Sequence, residues 1–279
     1  YDDYVAYQLR LYSEECVANT RQVFNEAEAL MKQNITKFRE DFGFDETEEE
    51  DDMTYALTDT FVSMIQYDSK LRLIPSFCDS QKVPSYENLV SIVKKITTLL
   101  NQTVQECDLM NQLDDSLTSP YASSRAWSYI TCNEVGWFQT ATGHLRPDSI
   151  NLQYFEKVCK KLFNIEHLPD EREKNQYFGG KNPHQTKIFF VTSDVDPWSS
   201  IAIQTPDGNL MRHALVIANQ SHCSDLYAID ESDPEPLKNA KEEIISQMVT
   251  WLSDWNCTDQ CIHGKCVVNG CICDYGYGG

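Results

Sequence analysis

Two short apolar runs in the second half of the chain each end near a residue capable of acid–base chemistry. Residues 187–192 predict a buried strand, and the loop after it carries Asp196. Residues 214–218 predict a second strand, which ends at a polar loop that carries His222. Residues 199–213 between them are long enough for the crossover that joins parallel strands. We therefore expect Asp196 and His222 to meet at the same edge of one sheet.

Such an Asp–His pair supports proton transfer. A buried carboxylate that accepts a hydrogen bond from one imidazole nitrogen fixes the tautomer of the ring. The other nitrogen can then take a proton from a serine hydroxyl and return it to a leaving amine. Asp194 is the nearest rival for the acid role. A plainer interpretation also stays open, in which Asp196 and Pro197 form an ordinary turn and His222 is an ordinary polar residue.

Four ordered motifs carry a resemblance to a known family. They read Trp-Ser-Tyr-Ile-Thr-Cys-Asn-Glu-Val-Gly-Trp-Phe-Gln-Thr at 127–140, Tyr-Phe-Gly-Gly at 177–180, Asp-Val-Asp-Pro-Trp at 194–198 and Asn-Gln-Ser-His-Cys-Ser-Asp at 219–225. Together they resemble the prolyl carboxypeptidase family of serine peptidases, and the first and last motifs look closest to its thymus-specific branch. The resemblance implies that Asp196 is the triad acid and His222 the triad base.

The resemblance also implies an α/β fold, namely the C-terminal part of an α/β-hydrolase fold with an inserted helical domain. That fold orders its triad as Ser, Asp, His, and the family's serine lies in a Gly-Gly-Ser-Tyr-Gly-Gly elbow. No Gly-x-Ser-x-Gly occurs among the 279 residues. We therefore expect the serine and the oxyanion-hole loop to lie before Tyr1, and the fragment by itself to be inactive.

Helical periodicity and the resemblance together give three predicted domains. Three apolar stripes at helical spacing occupy the first hundred residues, at Leu9–Met31, Met53–Ile65 and Tyr86–Leu100. Ser85 is placed to cap the helix of the third stripe. Residues 1–118 are expected to form a helical cap domain over the active site, 119–256 the rest of the hydrolase domain, and 257–279 a truncated EGF-like module. Within the second domain we expect a polar loop at 169–174 and a last helix from about residue 233.

Composition narrows the classes of partner. The formal charge is -20, from 43 acidic and 23 basic residues, which argues against nucleic acid or an anionic membrane surface. Seven of the eight residues at 45–52 are acidic, and we interpret them as a solvated loop between helices rather than a metal site. No run approaches the roughly 20 apolar residues that a membrane-spanning helix needs. We expect neither a metal nor a cofactor.

The 11 cysteines and several sequons favour an oxidising compartment, either secreted or lysosomal. We predict glycosylation at Asn34, Asn101 and Asn256, whereas Asn219 is doubtful because it lies three residues before His222. By the family resemblance Cys132 pairs with Cys159 and Cys78 pairs with Cys107. Cys16 is expected to bridge outside these residues or stay free, and Cys223 is assigned no partner.

The last 23 residues contain five cysteines in the pattern Cys-x3-Cys-x4-Cys-x4-Cys-x-Cys. This pattern resembles an EGF-like module that lacks its sixth cysteine. The resemblance implies pairing of Cys257 with Cys266 and of Cys261 with Cys271, and leaves Cys273 for a cysteine beyond Gly279. A zinc knuckle is the competing interpretation, but the Cys-x-Cys spacing is not typical of metal fingers.

These patterns predict a serine exopeptidase acting on short peptides, and the preference for proline beside the scissile bond comes from the resemblance alone. The alternative is a catalytically dead homologue that acts as a secreted binding or adhesion protein through its EGF-like tail. Peptides are the expected substrates, while a homodimer and a protein partner bound through the tail stay open. Dipeptidyl peptidase and carboxypeptidase action are not distinguished.

Overall fold

A computed structural model describes residues 1–205, 212–253, 264–267 and 270–273, the last two ranges by backbone alone. The first hundred residues form a helical array. Its helices are α1 (Asp2–Tyr12), α2 (Glu14–Gln33), α3 (Ile35–Phe42), α4 (Glu50–Gln66), α5 (Asp68–Leu71), α6 (Ile74–Ser80) and α7 (Tyr86–Leu100). The break between α1 and α2 falls at Ser13, whose backbone is extended with φ -161°.

The three apolar stripes of this region pack into one core. Phe24 of α2 and Phe61 of α4 are both buried, with ring centroids 5.4 Å apart, and Leu89 of α7 is fully buried in the same cluster. The Ser85 side chain accepts a hydrogen bond from the backbone N–H of Asn88 at 3.2 Å, so the predicted cap of α7 is confirmed. This packing makes α4, buried along most of its length, the central helix of the array.

The remainder of the chain combines helices with a small parallel sheet. Its elements are α8 (Ala122–Ile130), α9 (Leu152–Phe163), α10 (Glu171–Phe178), β1 (Ile188–Ser193), β2 (Arg212–Ile217) and α11 (Glu235–Ser253). The two strands pair in parallel, in a register that runs from Ile188 opposite Arg212 to Ser193 opposite Ile217. α11 packs on this sheet through Leu237 and Ala240. Parallel strands backed by a helix agree with an α/β-hydrolase-like fold.

Residues 169–174 differ from the expected polar loop, because most of them belong to α10. The Asp170 side chain accepts from the backbone N–H of Arg172 and caps the helix, and Gly179 ends it with φ 90°. An Asp at the start and a Gly at the end are the usual helix boundary signals, and here they outweigh the high polarity of the segment. Strand β1 begins one residue later than predicted, since Lys187 has φ 58° and cannot join the ladder.

The acidic run at 45–52 is not wholly the solvated loop that its charge suggested. α4 begins at Glu50, so three of the acids lie in the first turn of a helix, where negative charge is favourable. Glu49 pairs with Lys161 at 2.8 Å, and Asp52 is only 1% exposed. Burial raises the pKa of the Asp52 carboxyl, while Lys157 opposes that shift.

The disulfides differ in part from the expected pairing. The structure forms the expected bridge between Cys132 and Cys159, but it joins Cys78 to Cys16, with a Cα–Cα distance of 5.3 Å. The expected Cys78–Cys107 bridge is therefore wrong. Cys16 on α2 and Cys78 on α6 face each other, whereas Cys107 lies in a short turn packed on α4. Burial raises the pKa of the Cys107 thiol to about 12.

The C-terminal segment is described only as two short antiparallel strands, β3 (Gly264–Val267) and β4 (Gly270–Cys273). The predicted pairing of Cys257, Cys261, Cys266 and Cys271 and the predicted glycosylation of Asn256 lie outside the described residues or side chains, and stay predictions. In the described part of the chain, no helix has both the length and the apolar character required to cross a bilayer.

Candidate active site

The carboxylate of Asp196 is held in place by the turn that follows β1. Pro197 begins a 3-10 turn that runs to Ser200, and the backbone N–H of Trp198 donates to Asp196 Oδ1 at 2.9 Å. Asp196 thus acts as the cap of its own turn, an arrangement that suits Asp before Pro. The residue is 6% exposed, and its second oxygen, Oδ2, points to the adjacent loop.

His222 lies on the loop after β2, and its ring meets Asp196. The distance between His222 Nδ1 and Asp196 Oδ2 is 2.8 Å. The backbone N–H of His222 donates to the carbonyl oxygen of Gln66 at 3.0 Å, which fixes the loop to the end of α4. A carboxylate only accepts hydrogen bonds, so Nδ1 carries the proton and Nε2 is left as the basic nitrogen. The His222 side chain is 26% exposed and lines a cavity.

Asp194, the rival acid, has a different environment. Its Oδ1 accepts from the backbone N–H of Asn219 at 2.6 Å, and its carbonyl oxygen accepts from Tyr4 Oη and from Gln8 Nε2. These bonds join the ends of the two strands to α1. The structure thus brings Asp196, and not Asp194, to the imidazole of His222.

Gln66, the last residue of α4, contacts the site but could not be predicted from sequence patterns. Its Oε1 accepts from Tyr1 Oη at 2.6 Å and from Trp198 Nε1 at 2.9 Å. Since its backbone carbonyl also holds His222, Gln66 connects the helical array to both loops of the Asp–His pair. A single glutamine at a helix end carries no local sequence signal, because its partners are more than 60 residues away along the chain.

A cavity of about 550 Å³ opens beside His222. One wall consists of Trp127, Trp137 and Trp198, whose ring centroids lie 5.9 to 6.1 Å apart. Two of these indoles come from the motif at 127–140, and the Cys132–Cys159 bridge ties the turn between them to α9. The cavity therefore offers flat apolar surfaces directly beside the imidazole, as small-molecule and peptide sites commonly do.

The cavity lining also includes polar groups of α4 and the side chain of Tyr1. Asp59 of α4 lines the cavity and accepts from Arg146 Nη2 at 3.1 Å. The Arg146 side chain is fully buried. Desolvation lowers the pKa of its guanidinium, but Asp59, Tyr55 and Asp2 together outweigh this effect and the pKa is raised overall. Burial, reinforced by Asp59, raises the pKa of the Tyr1 phenol well above its usual value. Tyr1 consequently remains a neutral hydrogen-bond donor to Gln66.

The predicted glycosylation sites in the described part of the chain do not line this cavity. Asn34 and Asn101 are both exposed. Asn34 caps α3 by accepting from the backbone N–H of Lys37 at 3.1 Å, and Asn101 ends α7 in the left-handed conformation. Modification of these residues stays a prediction.

Comparison with known proteins identifies the family of this chain. Residues 1–244 match the family model described as serine carboxypeptidase S28. Thymus-specific serine protease of Mus musculus is 27% identical, over a match that covers 86% of this chain and 52% of that protein. Lysosomal Pro-X carboxypeptidase of Bos taurus is 29% identical, over 46% of this chain and 26% of that protein. The chain spans about half the length of these curated relatives or less. Since the family match covers well over half of the 279 residues, the chain belongs to the serine carboxypeptidase S28 family.

Proposed function

We propose that this chain supplies the acid and the base of a serine exopeptidase that hydrolyses short peptides. The observation that carries the proposal is the 2.8 Å contact between Asp196 Oδ2 and His222 Nδ1 at the edge of an indole-lined cavity. The same two residues follow parallel strands at one edge of the sheet, the position that catalytic groups take in α/β folds. Membership of the serine carboxypeptidase S28 family supports peptidase chemistry.

In this proposal His222 moves one proton in each half of the reaction. Nε2 accepts the proton of a serine hydroxyl while the serine oxygen bonds to the scissile carbonyl carbon, and the carbonyl electron pair moves onto its oxygen. The imidazolium then donates that proton to the leaving nitrogen as the C–N bond breaks. Water repeats the sequence on the acyl-enzyme and releases the acid. Asp196 orients the ring and stabilises its charged form throughout.

The serine in this scheme comes from a Gly-Gly-Ser-Tyr-Gly-Gly elbow, a motif that the 279 residues do not contain. A preference for proline beside the scissile bond is supported by the name of one relative, a lysosomal Pro-X carboxypeptidase. The flat indole surfaces of Trp127 and Trp198 suit a pyrrolidine ring as a packing partner. The names of relatives and the two disulfides support a secreted or lysosomal location.

The test uses the polypeptide that carries the serine elbow, assayed on proline-containing peptides. His222→Ala and Asp196→Asn should each lower kcat by roughly a factor of 10⁴, since either change removes the correctly oriented base. Asp194→Asn is the matched control, because it removes the same charge two residues away and keeps an oxygen to accept from Asn219. Turnover by the His222 variant equal to that of the wild type would eliminate His222 from the mechanism. Absence of hydrolysis by the unaltered polypeptide would instead favour the binding or adhesion protein.

A further inference from the structure

A closed circuit of four hydrogen bonds passes through the Asp–His pair, and its members are Gln66, Trp198, Asp196 and His222. Trp198 Nε1 donates to Gln66 Oε1 at 2.9 Å, and the backbone N–H of Trp198 donates to Asp196 Oδ1, also at 2.9 Å. Asp196 Oδ2 lies 2.8 Å from His222 Nδ1. The backbone N–H of His222 donates to the carbonyl oxygen of Gln66 at 3.0 Å, which closes the circuit at the end of α4.

The members of this hydrogen-bond circuit come from three separate segments of the chain. Gln66 is the last residue of α4, Asp196 and Trp198 belong to the turn after β1, and His222 lies on the loop after β2. Functional groups held by helices and strands are placed more precisely than groups held by loops alone. Since α4 is buried along most of its length, Gln66 gives both loops a common fixed point.

The side-chain oxygen of Gln66 also holds the aromatic groups around the imidazole. Besides Trp198 Nε1, Gln66 Oε1 accepts from Tyr1 Oη at 2.6 Å. The His222 ring lies between the rings of Trp198 and Tyr67, with centroid distances of 6.3 and 6.1 Å. Removal of this one oxygen would deprive two donors of their acceptor. A partly buried donor that loses its acceptor is costly, so the indole would turn toward water and leave its place beside His222.

We propose that the side chain of Gln66 is a positioning residue for the Asp–His pair. It holds the indole of Trp198, and through the backbone of Trp198 it holds the carboxylate of Asp196 in the orientation that the imidazole requires. This inference rests on the proposed peptidase function. It gives the helical array a part in orienting the base, in addition to its place as a wall of the cavity.

Three variants isolate the side-chain oxygen. Gln66→Met keeps the length of the side chain and the backbone bond to His222 but removes the acceptor, whereas Gln66→Glu keeps an oxygen for both donors. Gln105→Met is the matched control. Gln105 is half-buried like Gln66, and its amide also makes two hydrogen bonds, each of 2.8 Å, to Asp45 and Glu48. None of these three residues lines the cavity.

The first measurement is the exchange of the His222 Nδ1 proton with water, followed by proton NMR on the polypeptide that carries the serine elbow. His222→Ala assigns the signal. Exchange requires the bond to Asp196 to open, so it should be at least tenfold faster in Gln66→Met than in the wild type. Gln66→Glu should restore slow exchange, and Gln105→Met should leave the rate unchanged. This measurement does not depend on turnover.

The second measurement is hydrolysis of proline-containing peptides by the same polypeptide. The kcat of Gln66→Met should fall about 10- to 100-fold, because a displacement of about 1 Å at a catalytic group costs up to about 100-fold. KM should change less than about threefold, and Gln66→Glu should recover most of the kcat. Trp198→Phe breaks the same bond from the donor side. It should also lower kcat, and it should add little when combined with Gln66→Met, since both changes open one circuit.

The outcomes separate this inference from the proposed function. Exchange in Gln66→Met as slow as in the wild type would overturn the positioning role, whether or not the polypeptide hydrolyses peptides. A loss confined to KM would also overturn it, because Gln66 lines the cavity and would then act by contact with the substrate. Equal effects of Gln66→Met and Gln105→Met would reduce the role to general stability. If Gln66→Met does not fold, Trp198→Phe gives the same decision. Fast exchange in Gln66→Met, with no hydrolysis by the unaltered polypeptide, would support the positioning of the pair and contradict the peptidase function.

Discussion

Replacement of Cys16 by alanine should remove the disulfide that joins α2 to α6. The bridge closes a loop with a sequence separation of 62 residues. In the chain-entropy model a loop of this length costs the unfolded state about 14 cal/mol/K, which corresponds to about 4 kcal/mol at 25 °C. The free energy of unfolding of the helical array should fall by about this amount, because both cysteines are buried in its core.

Cys107→Ala is the matched control for this experiment. The structure leaves the Cys107 thiol unbridged and partly buried against the same core, so its truncation costs only the lost packing, about 1 kcal/mol. The pairing implied by family resemblance, Cys78 with Cys107, predicts the opposite order. In that case Cys107→Ala would cost between 3 and 4 kcal/mol for a loop of about 29 residues, and Cys16→Ala would cost little.

Two assays decide between the pairings. Denaturant unfolding followed by far-ultraviolet circular dichroism gives the free energies, since most of the helical signal of this region comes from the array. Tryptic digestion without reduction separates the three cysteines onto peptides 11–21, 73–82 and 96–125. The structure predicts that 11–21 and 73–82 are crosslinked. A crosslink between 73–82 and 96–125, together with a large loss of stability in Cys107→Ala, would refute the pairing of Cys16 with Cys78.

Two further changes test buried charge. Burial raises the pKa of the Asp108 carboxyl from 3.8 to about 6. The stability that its protonated form contributes is therefore complete below about pH 3.8 and is lost as the pH rises through about 6. Asp108→Asn should therefore stabilise the protein at pH 7, by up to about 3 kcal/mol, and flatten the pH dependence of the unfolding free energy between pH 4 and 6. Arg146→Met should destabilise the protein by about 3–5 kcal/mol, because Asp59 and Asp2 would lose their buried partner.

Thermal and denaturant unfolding across pH check both changes, with an exposed pair as the reference. Arg172, whose side chain is 89% exposed, pairs with Asp170, and Arg172→Met should leave stability unchanged within error. Equal stability of the wild type and Asp108→Asn at pH 7 would show that the pKa of the Asp108 carboxyl is not raised in the folded protein. A loss in Arg146→Met no greater than in the Arg172 variant would contradict the buried ion-pair network.

Local patterns in the sequence were sufficient to predict the two strands and loops that carry the Asp–His pair. The two apolar runs, the proline after Asp196 and the length of the intervening segment predicted parallel strands with Asp196 and His222 beyond them, and the structure has this arrangement. Strand formation and turn formation depend on residues close in sequence, which explains why the prediction could succeed. The choice of Asp196 over Asp194 rested on the motif in which the acid directly precedes Pro-Trp. In the structure, too, the carboxylate that contacts His222 is that of Asp196.

The tertiary structure alone decided which distant residues complete the site. Gln66 and Asp59 carry no motif, and they reach the cavity because α4 packs at the centre of the helical array with its end against the loop of His222. Arg146, buried behind the cavity lining, pairs with Asp59. The partner of Cys78 was decided in the same way, since a disulfide requires two cysteines whose Cα atoms lie within about 7 Å, and spacing along the chain does not specify that distance. Sequence thus determined the two strands and the placement of Asp196 and His222 beyond them, whereas long-range packing determined the walls and charges of the cavity, because burial and contact are properties of the whole fold.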